Sequence, residues 1–241
     1  MNEAVFISDL HLHPQNQDIH HRFEVFVEWA KNHTKRVYIL GDFIHVWAGD
    51  DLIDAYGLKV MKLLRQLHQA QVEVYFMPGN RDFLIGSQFL EQSQMIGLND
   101  PTIVTLDGER LFLTHGDRYC TRDKAHQFFR RITRHNWFKP LFLLLPRSIR
   151  RHLVDSVRNH SQTKKRLSQD SYQINHQKLF KEMHHHQVFA AVYGHVHQKA
   201  HFQDTYKHFS YQRYVLTDWD ENPSLLCYNK LKGFHFSQLG V

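Results

Sequence analysis

What most constrains this chain is a punctuation that recurs along it: five short apolar runs each end in the same kinds of polar residue. Residues 4–8 run into Asp9-Leu10-His11, and 36–40 into Gly41-Asp42. Residues 72–77 run into Pro78-Gly79-Asn80-Arg81-Asp82, 110–114 into His115-Gly116-Asp117, and 186–193 into Gly194-His195-Val196-His197. Apolar runs of this length without alternation suit strands buried on both faces, as in a parallel sheet. Between the first three lie segments with apolar residues at helical spacing, 22–31 (Phe23, Phe26, Val27, Ala30) and 58–70. Parallel strands need a crossover, so residues 4–77 predict successive β-α-β units. In open α/β sheets the carboxyl ends of the strands face one crevice. Asp9, His11, Asp42, Asn80, His115, His195 and His197 are therefore expected to converge there.

The rest of the chain divides in two. Residues 102–106 and 110–114 flank Asp107-Gly108, a strong hairpin signal, and a last β pattern covers 211–216, 224–228 and 233–236. Between Thr121 and His176 the character changes to basic residues, aromatic pairs and helical spacing, with no strand-then-polar motif. The expected organisation is an α/β core of residues 1–120 and 177–241 interrupted by a helical insertion, 121–176. At 241 residues and 42% hydrophobic content, the chain can bury a sizeable core, which excludes intrinsic disorder.

Thirty Lys plus Arg against twenty-four Asp plus Glu leave +6, which suggests an anionic partner: phosphate ester, nucleic acid or acidic lipid. Only Cys120 and Cys227 are present, which fits a reducing compartment and gives no thiolate metal site. The amino terminus carries no basic region before its short apolar run, so no signal peptide is predicted and the cytoplasm is expected. The apolar stretch 138–145 is interrupted by Pro140 and falls short of the ~20 residues that span a bilayer, though it can lie on one.

Histidine is abundant, 21 of 241 residues, but abundance does not identify ligands. His184, His185 and His186 occupy successive helix positions, spread around the circumference, and read as a solvated face. The strand-end residues are different. In Asp9-Leu10-His11 and His195-Val196-His197 the i, i+2 spacing puts both side chains on one face of an extended segment. Carboxylate, imidazole and amide oxygen together suit Mn²⁺, Fe²⁺, Zn²⁺ or Mg²⁺. Seven ligands exceed one ion's needs. Two ions ~3.5 to 4 Å apart sharing a carboxylate are a standard device for phosphoryl hydrolysis, with Asp42 the natural bridge.

These five motifs resemble those of the calcineurin-like metallophosphoesterases, over most of the chain outside the insertion. The resemblance implies an α/β fold, a sandwich of mixed β-sheets flanked by helices, with the helical insertion as a lid. It implies one ion held by Asp9, His11, Asp42 and His197, and the other by Asp42, Asn80, His115 and His195. Most members carry a histidine after the motif asparagine, which can protonate an alkoxide leaving group; this chain has Arg81. A departing phosphate needs little protonation and pairs bidentately with a guanidinium, so the departure favours a pyrophosphate substrate. The plainer reading is that Arg81 pairs with Asp82.

Within that superfamily, residues 79–84 and 38–42, the length and the insertion resemble the UDP-2,3-diacylglucosamine hydrolase family of lipid A biosynthesis. That resemblance implies cleavage of UDP-2,3-diacylglucosamine by water attack on the α-phosphorus, giving UMP and 2,3-diacylglucosamine 1-phosphate. It also implies Mn²⁺ and a peripheral place on the cytoplasmic face of the inner membrane. Asp42, Asn80, Arg81 and His195 are the expected catalytic residues. Headgroup contacts are expected from Asn80, Arg81, Asp123, Ser161 and His195, with Lys165 added for its charge, because Gln162-Thr163-Lys164-Lys165 departs from the family pattern.

Within the insertion, Phe128, Phe129, Ile132, Trp137, Phe138, Leu141, Phe142, Leu144 and Leu145 are expected to line an acyl groove or dip into a membrane, or else to pack as a plain helical hairpin. Arg130, Arg131, Arg134, Lys139, Arg147, Arg150 and Arg151 flank them, as a surface for anionic lipid or as a solvated face. No obligate protein partner and no nucleic acid are expected. Two other readings share the metal core: a nucleotide or nucleic-acid phosphodiesterase, against which the apolar insertion speaks, and a catalytically silent scaffold, against which the complete ligand set speaks.

Overall fold

A computed structural model describes residues 1–165, 173–221 and 223–239, with 157–165 described by backbone alone. Two mixed sheets lie face to face. The first joins β1 (Ala4–Ile7), β2 (Arg36–Leu40), β3 (Glu73–Met77) and β4 (Met95–Gly97) with the C-terminal β10 (Ser224–Asn229) and β11 (Gly233–Gln238), in the order β11-β10-β1-β2-β3-β4. The second joins β5 (Thr102–Leu106), β6 (Glu109–Thr114), β7 (Ala190–Tyr193), β8 (Ala200–Tyr206) and β9 (Phe209–Val215), in the order β5-β6-β7-β9-β8. β1, β2 and β3 are parallel neighbours, and so are β6 and β7, so the strand ends that carry the polar motifs point the same way within each sheet.

The layers follow from which side of each strand is apolar. Val5 and Ile7 face a core shared with Phe23, Phe26 and Val27 of α1 (Gln17–His33), with Val60 and Leu64 of α2 (Ala55–Gln69) and with Phe89 of α3 (Ser87–Ser93). Ala4 and Phe6, on the opposite face of β1, meet Leu111, Leu113 and Val192 between the sheets. Both faces are therefore buried, which is why β1 reads as an unbroken apolar run. On the far side of the second sheet, Leu179, Phe180 and Met183 of α7 (His176–His185) cover Phe112, Ala191 and Tyr211. The outcome is four layers, helix, sheet, sheet, helix, the mixed-sheet sandwich that the family resemblance implied.

Several boundaries differ from the sequence reading. α1 starts at Gln17, five residues before 22, because the Asn16 side chain caps Ile19 N–H at 3.2 Å. The strand expected over 186–193 begins only at Ala190. α7 runs on through His185, and a turn with Gln187 at φ 53° closes it by Val188 N–H donating to Met183 carbonyl. β8 went unread because it is an edge strand with mostly exposed or half-buried residues and no apolar run.

Beyond β6 come α4 (Lys124–Thr133), α5 (Phe138–Leu143) and α6 (Arg147–Lys165). Phe138, Phe142 and Val154 pack against the helix-side core of the first sheet, and Phe83 stacks edge-on with Phe129 at 6.5 Å. The basic residues of this segment do not form one cationic face. Arg150, 2% exposed, donates to Ala48 and Leu145 carbonyls and to the Asp51 carboxylate, which Arg147 also reaches at 3.0 Å. Arg130 pairs with Asp100 and Asp117, Arg134 donates to the carbonyls of Pro78 and Gly79, and Lys139 donates to that of Ile85. Five of the seven thus fasten the helices to the core, and only Arg131 and Arg151 are exposed without such a bond. The apolar residues divide too: Phe128, Trp137, Leu141, Leu144 and Leu145 are exposed, whereas Phe129, Ile132, Phe138 and Phe142 are half-buried. Among the described residues, no helix is long and apolar enough to cross a membrane.

Candidate metal centre

The seven strand-end residues meet at one edge of the two sheets. β1 delivers Asp9 and His11, β2 Asp42, β3 Asn80, β6 His115, and β7 His195 and His197. Ligand atoms of Asp9, His11 and His197 lie within 4.8 Å of one another, as do those of Asp9, Asp42 and His115. Asp42 stands 4.0 Å from His11 Nδ1 and 3.7 Å from His115 Nε2, so both carboxylates sit between two sets of imidazoles. Asn80 Oδ1 is 3.0 Å from His115 Nε2. The His195 ring is 5.1 Å from that of His115, and its backbone N–H donates to Asp9 Oδ2 at 2.8 Å.

The backbone is bent to aim these side chains. Asp9, His11, Asp42, His195 and His197 all have φ between 51° and 69°, in the left-handed region. Asp and His enter that region more readily than most residues, yet each such turn costs about 1 to 3 kcal/mol in strain, which surrounding contacts must hold. Asp9 N–H donates to Gly41 carbonyl and His11 N–H to Asp42 carbonyl, tying the first two loops together. A side chain on Gly41 would stand 2.6 Å from Gly79 Cα and from His115 Nδ1, so only glycine lets the second and third loops approach.

Hydrogen bonding leaves lone pairs facing one another. A carbonyl and a carboxylate only accept, so His115 Nδ1, 2.8 Å from Leu40 carbonyl, and His197 Nδ1, 3.0 Å from Asp218 Oδ2, carry the protons. His197 Nε2 then faces Asp9 Oδ1 at 3.3 Å, and His115 Nε2 faces Asn80 Oδ1 and Asp42 Oδ1. Each gap calls for a proton or a cation. Asp9 Oδ1 and His11 Nδ1 are buried with no hydrogen-bond partner, an expensive arrangement unless a cation takes up their lone pairs.

The electrostatics agree. Burial would raise the Asp9 carboxyl, but His197, His115 and His11 hold it well below the usual carboxylate range. Burial and the Asp9 charge push Asp42 up, against His115 and Arg81. Burial lowers His115, yet Asp42, Asp9 and Asp117 outweigh it and raise the imidazole to about 9. The cluster thus draws positive charge to itself. Burial and nearby cations keep His11 and His195 neutral, His195 down at about 3, which leaves imidazole lone pairs available for ligation. The donor set, carboxylate, imidazole and amide oxygen without thiolate, fits divalent cations.

The other expected residues fall variously. Arg81 N–H donates to Asp42 Oδ1 at 2.9 Å and its Nε is 3.6 Å from Asp42 Oδ2, so it leans on the cluster. Asp82 is taken up by the N–H groups of Phe43, Ile44 and Gly79 instead, which removes the plainer Arg81–Asp82 pairing. Asp123, eight residues after His115, caps α4 by accepting from His126 N–H at 2.9 Å, and the His126 ring is 5.9 Å from that of His195. The side chains of Ser161 and Lys165 lie outside the described residues. Asp218, the partner of His197, was missed, although Asp218 follows the end of β9 in the same strand-then-polar manner that flagged the others.

Comparison with known proteins gives concordant findings. The sequence profile of the calcineurin-like phosphoesterases matches residues 4–199. A UDP-2,3-diacylglucosamine hydrolase of Pseudomonas putida is 36% identical over 217 residues, covering 90% of each chain. One of Vibrio cholerae is 34% identical over 236 residues, 96% of this chain and 95% of that one. One of Pectobacterium carotovorum is 36% identical over 224 residues, 92% of this chain and 93% of that one.

Proposed function

The chain belongs to the calcineurin-like phosphoesterase family, and from that premise we propose that it hydrolyses the pyrophosphate bond of UDP-2,3-diacylglucosamine, releasing UMP and 2,3-diacylglucosamine 1-phosphate. The names of its relatives, shared at about one residue in three over nine-tenths of the chain, support the substrate. The observation that carries the reaction class is Arg81 against Asp42 at the edge of the carboxylate and imidazole cluster. A guanidinium there suits a substrate whose leaving group is itself a phosphate.

We assign one cation to Asp9, His11, Asp42 and His197, and a second to Asp42, Asn80, His115 and His195, with Mn²⁺ the ion of choice. Such a pair, when bound, would lower the pKa of a water and neutralise phosphate oxygens. The chain's own groups do the rest. Asp42 and Asp9 supply the negative charge that keeps cations in place. His115 and His197 are each oriented by an acceptor behind them, Leu40 carbonyl and Asp218. Arg81, 15% exposed, is placed to turn from Asp42 towards the substrate's phosphates, and with Asn80 and His195 it stabilises the charge that grows on the equatorial oxygens as water attacks the α-phosphorus in line. Asp123, Ser161 and Lys165 are proposed headgroup contacts.

The inserted unit is taken as 121–176, the core as 1–120 and 177–241. Its exposed Phe128, Trp137, Leu141, Leu144 and Leu145 offer the apolar surface that two acyl chains, or the membrane that holds them, require. This supports a peripheral place on the inner membrane through apolar contact, with little help from the arginines bonded to the core. One assay tests the proposal: purified protein with Mn²⁺ and UDP-2,3-diacylglucosamine, beside UDP-glucose and a chromogenic phosphodiester. UMP release from the first alone is expected. Equal cleavage of the phosphodiester would refute the specificity.

A further inference from the structure

The two half-sites differ in what supports them from outside the sheets. Asp9, His11 and His197 are held by core residues: Ser8 Oγ and His195 N–H donate to Asp9 Oδ2, and Asp218 backs His197. Asn80 and His115 are flanked instead by α4. Arg134 Nη2 donates to Pro78 carbonyl at 3.1 Å and to Gly79 carbonyl at 2.7 Å, immediately before Asn80, with its guanidinium 5.5 Å from the Phe83 ring centroid. Gly79 is thereby gripped at both ends, because its N–H donates to Asp82 Oδ1 at 2.7 Å.

One turn earlier on α4, Arg130 reaches the His115 loop. It donates to Asp117 Oδ2 at 2.9 Å and to Asp100 Oδ2 at 2.7 Å. The other oxygen of Asp100 accepts from Thr114 Oγ and from His115 N–H, so the guanidinium fixes the backbone that aims His115. The Asp100 and Asp117 carboxylates are buried, and Arg130 pairs with both, while His126 Nε2 also lies 3.3 Å from Asp117 Oδ2. Residues four apart on one helix face thus clamp the two loops that face each other across the 3.0 Å between Asn80 Oδ1 and His115 Nε2.

We infer that Arg134 and Arg130 are positioning residues for the second cation half-site, so that cation affinity at Asn80 and His115 depends on the inserted helix α4 while that at Asp9, His11 and His197 does not. The inference rests on the two-cation reading above. Outer-shell partners of this kind typically change metal affinity by about 10- to 100-fold when removed.

The test is metal binding rather than turnover. Metal-stripped wild type, Arg134→Ala, Arg134→Lys, Arg130→Lys and Arg151→Ala are titrated with Mn²⁺ by calorimetry, and the spin-coupled Mn²⁺ pair is followed by electron paramagnetic resonance. Wild type and Arg151→Ala are expected to bind two ions and show the coupled signal. Arg134→Ala is expected to keep the first binding event and weaken the second by about 10- to 100-fold, with the coupled signal lost at equal Mn²⁺. Arg134→Lys retains the charge but serves one carbonyl rather than two, and falls between; it gives the same reading should the alanine variant unfold. A second event unchanged in Arg134→Ala and Arg130→Lys would overturn the inference while leaving the two-cation reading intact. A wild type that binds a single ion would overturn both.

Discussion

The strand-end loops and the helices from α4 to α6 draw on the same polar side chains, histidine, arginine and aspartate, and hold them in opposite ways. In the loops, residues from all five strands turn inward, and five of the seven strand-end residues occupy left-handed backbone that few residues tolerate. In the helices the backbone is ordinary, and among the described residues a charged side chain takes its role from what, if anything, lies opposite. Arg150 meets Asp51, 99 residues away, and is buried; Arg151, its neighbour in sequence, faces solvent. A role dictated by local geometry can be read from a motif, whereas a role dictated by a distant partner cannot.

Substitutions in the two regions should therefore fail in different ways. The largest effect is expected in the loops: Asp42→Ala should reduce turnover by at least about 10³-fold, some 4 kcal/mol of transition-state stabilisation, with the circular dichroism spectrum unchanged. A loss under tenfold would remove Asp42 from its central place. Next comes the support behind a ligand: Asp218→Asn, which keeps the shape and loses the charge behind His197, should lower Mn²⁺ affinity by about 10- to 100-fold, and an unchanged titration would make that contact incidental.

In the helices the readout moves from catalysis to stability. Arg150→Ala removes the donor to the Ala48 and Leu145 carbonyls and leaves Asp51 with Arg147 alone, and should cost about 1 to 3 kcal/mol in urea unfolding, whereas Arg151→Ala should stay within about 0.5 kcal/mol. Equal costs would mean that the two arginines are not the different residues they look to be. The smallest effect concerns the apolar surface. Leu144, 80% exposed, should accept glutamate without loss of stability, with activity on substrate in lipid vesicles falling a few-fold and that on a short-chain soluble analogue unaltered. Parallel losses on both substrates would detach this surface from the lipid.

The same contrast explains what was legible beforehand. The β-α-β start, the Asp107-Gly108 hairpin and the convergence of Asp9, His11, Asp42, Asn80, His115, His195 and His197 follow from apolar periodicity and from where runs of it stop. The separation into two sheets rested on resemblance, because periodicity does not say which buried strands pair. β8 was illegible as an edge strand without an apolar run, and the first turns of the 186–193 region were misread because Val188 is buried at the close of a helix rather than in a strand. For Arg130 and Arg134 the sequence leaves open a lipid-facing or a solvated cation, because nothing near them in sequence reveals Asp100, Pro78 or Gly79 as their partners.

Crystals soaked in Mn²⁺ and measured at the manganese absorption edge should show two anomalous peaks, one enclosed by Asp9, His11, Asp42 and His197 and the other by Asp42, Asn80, His115 and His195. A single peak, or none within reach of these side chains, would contradict that assignment.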